Sequence, residues 1–155
     1  MPIFPGFPSN FEQLHRIVED LHDTPDLPEK YDTPKKSQQP KLLRGWRIDE
    51  CQNEIIFQWL LLNTPELLWL DGNDNPVPGI SVFALGNHFA DVYGLEGGVA
   101  AVHILEGGQH LAGSMFWFDS NDVIPEQRYT KKEWAPLAEA LQLTEEPKWY
   151  LKLII

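Results

Sequence analysis

Residues 95–118 read LEGGVAAVHILEGGQHLAGSMFWF, and the segment Leu-Glu-Gly-Gly occurs in it twice, at 95–98 and at 105–108. Gly-Gly pairs between apolar runs are hairpin signals. The runs they bound, Val99 to Leu105 and Leu111 to Phe118, are short, proline-free and apolar, which suits paired strands. Two similar turns so close together are those of a β-meander and not of a solenoid. The second run ends in Met115-Phe116-Trp117-Phe118. Alternation sends Met115 and Trp117 to one face and Phe116 and Phe118 to the other. A strand apolar on both faces is expected to be central and covered twice. The functional alternative is that one face is a recognition patch, since Trp, Phe and Met are enriched at interfaces.

Upstream, Phe89 to Leu95 and Ile80 to Leu85 read as two further strands, and Glu66 to Leu70 as another, closed by the turn sequence Asp71-Gly72-Asn73-Asp74-Asn75-Pro76. Downstream, Trp149 to Ile155 reads as a final strand or an interface segment. Helices flank this region. Ser9 with Glu12 forms a capping-box pattern, and Phe11, Leu14, Val18 and Leu21 then recur at helical spacing, with a stop near His22 or Asp23 before Thr24-Pro25. Thr130 and Glu133 form a second box, followed by Trp134, Leu137, Ala138 and Leu141, with Pro136 late in the first turn. Residues 49–63 suit a helix capped by Asp49, although the run Ile55 to Leu62 also fits a buried strand. Residues 24–45 form a polar, Pro-rich connection, either a flap or a strap, carrying Lys35, Lys36, Lys41 and Arg44, which could dock it onto the acidic half of the chain. The expectation is a single α+β domain over residues 1–155: an antiparallel meander of about five to six strands between an N-terminal and a C-terminal helix.

Charge bounds the partners. The net charge is −11, and no Lys or Arg occurs between Glu66 and Glu126. A segment of one sign projects a negative field. Phosphate backbones are bound by Lys and Arg, so nucleic acid is not an expected partner, while a basic protein is. The plainer explanation of the charge is solubility. The acids Asp71, Asp74, Asp91, Glu96, Glu106, Asp119 and Asp122, with Trp117 as an aromatic anchor, are the expected partner-binding residues. The longest apolar runs are too short to span a bilayer, the N-terminus has no signal-peptide pattern, and the single cysteine permits no internal disulfide. A cytoplasmic protein, monomeric or weakly dimeric, with no membrane partner is expected.

No catalytic signature is present. Cys51 lies between Glu50 and Gln52, where acids oppose thiolate formation, so a buried small hydrophobe is the better reading. Asp71, Asn73 and Asn75 imitate the opening of a calcium loop, but Pro76 takes the glycine position and Val82 that of the bidentate Glu; a hydrogen-bonded turn fits better. His103 and His110 with Glu106 have no standard metal spacing. Neither metal nor cofactor is expected. An alternative to the binding module is a small enzyme or ligand-binding domain using His88, Asp91 and His103.

Phe83-Ala84-Leu85, Phe89-Ala90-Asp91-Val92-Tyr93, the following Gly-Gly turn, Val99 to Leu105 and a closing helix with Trp134 and Leu137 together resemble the SMI1/KNR4 (SUKH) superfamily. Leu27-Pro28-Glu29-Lys30-Tyr31 is similar to that superfamily's Leu-Pro-x-x-Tyr stretch, without the helix that follows it there. The resemblance covers residues 78–141. It implies a sheet between two helices and, since many bacterial members are immunity proteins, the binding and neutralising of a toxin.

Overall fold

The structure, a computed structural model, describes residues 11–25, 27, 28, 31 and 39–153. Among them four antiparallel strands close into a small barrel with four helices outside it. The order is α1 (Phe11–Asp20), β1 (Leu42–Arg47), α2 (Glu50–Asn63), α3 (Pro78–Asp91), β2 (Gly98–Glu106), β3 (Gln109–Ser120), α4 (Lys131–Ala140) and β4 (Lys148–Lys152). The strands run β1-β3-β2-β4 around the barrel. β4 closes it, pairing with β1 from Leu42↔Leu151 to Gly45↔Lys148 and with β2 at Val102↔Lys152 and His103↔Leu151. The α+β class is as expected. The open meander of about five to six strands is not: there are four strands, and closure leaves the sheet without a free edge.

Alternation along the strands builds three cores. Leu43, Ala100, Val102, Ile104 and Met115 fill the barrel, with Trp117 and Tyr150 packed beside them. Trp46, Phe116 and Phe118 point outward into a larger core with α2, α3 and α4. Leu42, Trp149 and Leu151 point outward on the other side, under Ile17, Val18 and Leu21 of α1 and beside Tyr31. The apolar run at 115–118 is therefore covered on both faces, Met115 and Trp117 by the barrel interior and Phe116 and Phe118 by helices. Three rings anchor the larger core: Trp46 to Phe118 at 5.1 Å, Trp46 to Trp134 at 5.5 Å, and Phe118 to Trp134 at 5.9 Å between centroids. Each such pair adds about 0.5–1.5 kcal/mol beyond the area it buries.

The second Leu-Glu-Gly-Gly makes the expected hairpin. Glu106 faces Gln109 across Gly107 and Gly108, both at positive φ (59° and 77°), as a two-residue turn matched to strand twist requires. The first does not. Gly97 and Gly98 lead from α3 into β2, and a Cβ on Gly97 would run into the Trp117 carbonyl oxygen. The strands expected at Ile80 to Leu85 and Phe89 to Leu95 are likewise absent, because one helix, α3, runs through the first and into the second, ending at Asp91 in a turn. Pro78 opens it at the first turn, where a missing N–H costs nothing. Val82, Gly86, Phe89 and Ala90 recur on its buried side. Gly86, between the two expected strands, is the point where α3 presses on Val99 of β2, with no room for a Cβ. Glu66 to Leu70 is a 3-10 turn, Pro65–Leu67, with a single bridge from Leu70 to Pro76.

The helical reading of residues 49–63 holds. Asp49 accepts the Cys51 N–H at 2.8 Å and donates its own N–H to Gln52 at 2.9 Å, closing a capping box. The Thr130–Glu133 box on α4 is present too, and Trp134, Leu137 and Ala138 are buried; Pro136 lies at the sixth residue of that helix. α1 ends at Asp20, just short of the expected stop, and Ser9, its expected cap, lies outside the described residues. Asp23 then binds β4 twice, its N–H donating to the Trp149 carbonyl at 3.2 Å and its carboxylate accepting the Trp149 N–H at 3.1 Å. The Pro-rich strap ends in a strand that was not foreseen, since β1 begins at Leu42. Within the strap Tyr31 is fully buried, donating its hydroxyl to Asp20 at 2.7 Å. Trp149 and Leu151 make the expected final strand, and Ile154 and Ile155 lie outside the described residues.

Candidate functional site

The expected partner-binding acids fall into two groups. Three are matched to bases on or beside β1. Lys41 binds Asp122 at 2.8 Å, Arg44 lies 3.8 Å from Asp119, and Arg47 binds Glu106 at 2.8 Å. Lys41 and Arg44 thus tie the end of the strap to acids of the acidic half, as the sequence suggested; Lys35 and Lys36 lie outside the described residues. Asp119 is only 2% exposed and accepts the Tyr129 N–H at 3.1 Å. Burial pushes its carboxyl up to about 6, against the lowering effects of the Tyr129 N–H, Arg44 and Arg128. A carboxyl so enclosed is part of the framework. Trp117 is half-buried against the barrel interior.

The second group, Asp71, Asp74, Asp91 and Glu96, is exposed, and no ion pair among the described residues neutralises these acids. Asp71 organises the connection between α2 and α3. Its Oδ1 accepts the N–H groups of Asn73 (2.8 Å) and Asn75 (3.0 Å), while its N–H donates to the Asn75 carbonyl at 2.8 Å. This is the hydrogen-bonded turn expected in place of a calcium loop. Asp74 occupies the left-handed position (φ 60°) that Asp tolerates better than most residues. The loop is tied to α3 by the Trp69 N–H donating to Ser81 Oγ (3.2 Å) and the Val77 N–H donating to the Trp69 carbonyl (2.8 Å).

That tied loop carries what the sequence reading missed. Trp69 and Leu70 are 55% and 54% exposed on it, Leu62 at the end of α2 is 83% exposed, and Ile80 and Phe83 on the outer side of α3 are about half exposed. Ile80, Phe83 and Ala84 follow one another at helical spacing on the side of α3 opposite Val82, Phe89 and Ala90. In the sequence these residues read as part of a strand; a helical period through 80–90 is the signal that separates the two faces.

His88, Asp91 and His103 do not converge. His88 and Asp91 lie on α3, and His103 is buried on β2. α3 meets β2 at Gly98, beside Asn87, and His103 is five residues further along the strand, about 16 Å away at strand rise. His103 Nδ1 instead faces His110 Nε2 of β3 at 2.6 Å. The His15 ring of α1 lies 6.3 Å from that of His110, and His15 Nε2 contacts Glu19 at 3.1 Å. Burial, then the neighbouring His110, lowers His103 to about 4; burial, then His15, lowers His110. Among the described residues no cluster of three or more His, Cys, Asp or Glu side chains is arranged to hold a metal ion.

Cys51, expected to be buried, is exposed near the start of α2, with Sγ 3.8 Å from Gln142 Oε1. Nearby, Gly45, Trp46, Arg47, Leu143, Glu145 and Tyr150 line an open groove of about 160 Å³, below the size of typical small-molecule sites, roughly 300–1,000 Å³. No helix among the described residues is long and apolar enough to cross a membrane. No family model, curated protein or solved structure matches the chain.

Proposed function

We propose that the chain is a non-catalytic protein-binding module that engages a basic protein partner through an acidic surface. The observation that carries this reading is the division among the acids. Glu106, Asp119 and Asp122 are matched by Arg47, Arg44 and Lys41, whereas Asp71, Asp74, Asp91 and Glu96 are exposed in a stretch without Lys or Arg and have no ion-pair partner among the described residues. A surface of this kind attracts cationic partners and speeds their association. The resemblance of residues 78–141 to the SMI1/KNR4 superfamily supports a specific form of the reading, an immunity protein whose partner is a basic toxin.

Affinity capture on the immobilised chain, from a lysate of the native source at low and then high salt, tests it. The expected result is a basic protein held at low salt and shed as salt is raised, because screening at 0.1 M already confines exposed charge interactions to about 10 Å. A retained protein indifferent to salt removes the electrostatic part of the proposal.

A further inference from the structure

We infer that the corner where α2 passes into α3 is the docking face, and that its occupant is a partner segment presenting apolar side chains flanked by Lys or Arg; this rests on the binding-module reading above. Leu62, Trp69, Leu70, Ile80 and Phe83 are each at least half exposed there. Scattered single apolar residues are normal on a surface, but five of them within the one stretch that ends α2, crosses the tied loop and begins α3 point to an interaction site. Trp69 and Leu70 are also not on a slack loop. Ser81, itself fully buried, receives the Trp69 N–H, the Trp69 carbonyl receives the Val77 N–H, and Asp71 holds the turn beyond. Rings held outward on a fixed loop lose little freedom on binding, which is how preorganised anchors gain affinity.

Charge selects the occupant. Glu66, Asp71 and Asp74 are exposed in the same connection, and no Lys or Arg lies between Glu66 and Glu126. A second copy docking on this corner by two-fold symmetry would set these acids against their own equivalents, a like-charge contact that costs affinity. An anionic membrane would repel them for the same reason. A partner with cationic residues around an apolar strip satisfies both parts of the face.

The test uses the whole chain and a fluorescent synthetic amphipathic helix of Leu and Lys, with a Leu and Glu helix of the same pattern as control. Anisotropy at low salt is expected to show binding of the Lys peptide alone. The exposed substitutions Trp69→Ser and Phe83→Ser are expected to weaken it about tenfold or more, and Asp74→Asn by less. Glu106→Gln and Asp122→Asn, whose acids lie near the β2–β3 turn and the end of β3, are expected to leave it unchanged. If Trp69→Ser and Phe83→Ser bind as wild type while Asp91→Asn or Glu96→Gln weakens binding, the acidic-surface reading stands and the corner is overturned; weakening by Glu106→Gln or Asp122→Asn alone overturns both. If the Lys peptide does not bind the wild-type chain at all, the binding-module reading fails with it. Dimerisation in sedimentation velocity that Phe83→Ser abolishes, or binding of neutral vesicles that Trp69→Ser abolishes, assigns the face to another occupant and overturns the inference.

Discussion

Two buried residues respond to acid in opposite directions. Asp119 is raised to about 6 from an ordinary 3.8, so its contribution to stability is complete below pH 4 and is lost as pH rises through 6. His103 is lowered to about 4 from 6.5, so its contribution is complete above pH 6.5 and is lost as pH falls towards 4. The second effect has a visible cause. At 2.6 Å one of the two facing nitrogens of His103 and His110 must bring a proton and the other a lone pair, and a further proton on the pair sets N–H against N–H. Among the described residues, the groups around them include His15 and Glu19 on α1 and, next to His103's neighbour Val102, Lys152 on β4. Between pH 7 and pH 5 each residue accounts for on the order of 1–2 kcal/mol. Urea unfolding at the two pH values checks this. Relative to wild type, His103→Leu is expected to fare better at pH 5 than at pH 7, and Asp119→Asn better at pH 7 than at pH 5. Parallel behaviour of the two variants would remove the account. Neither environment was legible from sequence. The sequence sets His103 and His110 on either side of one hairpin turn but carries no mark of their burial or of their direct contact, and Asp119 looked like any other acid of its stretch.

One tetrapeptide serves two elements in two ways. At 105–108 the glycines are needed for their backbone angles, and at 97 the glycine is needed because the Trp117 carbonyl leaves no space. Gly107→Asn keeps a residue suited to this turn and is expected to cost less than about 1 kcal/mol. Gly97→Ala forces the backbone of β3 aside and is expected to cost about 2 kcal/mol or more. Chemical unfolding of the two variants checks the order, and a larger loss at Gly107 would reverse the assignment. The same ambiguity explains what could and could not be read from the chain at this scale. The capping boxes at Asp49 and Thr130 are local chemistry, in which the residues named in the sequence are the ones that bond. Strands 98–106 and 109–120 are set by alternation and by a turn with few alternatives. The helix at 78–91 was read as two strands, whereas the glycine between them, Gly86, is there because of Val99, a residue on another element. β1 was hidden by its proline-rich surroundings and by Gly45, whose missing Cβ makes room for the Phe116 carbonyl. The exposed apolar corner went unseen for the same reason as the helix: its two faces become distinct only once the period is known.

At the scale of the molecule, closure matters more than the number of strands. β1 and β4 are paired although about a hundred residues separate them, and non-local pairing of this kind slows folding because loop closure precedes any reward. A chain ending at residue 147 retains β1, β2 and β3 but cannot close, leaving Leu42 without Leu151 and Asp23 without Trp149. Limited proteolysis and thermal unfolding of that truncation are expected to show early cleavage and loss of a single cooperative transition; a sharp transition like that of the whole chain would mean that β4 is dispensable. Translation gives the same geometry a temporal meaning. At about 5–20 residues per second, β4 is made roughly 5–20 seconds after β1. Throughout that interval Leu42 and the outward edge of β1 have no partner strand, so the nascent protein passes through a period in which chaperones, and not its own contacts, must cover that edge.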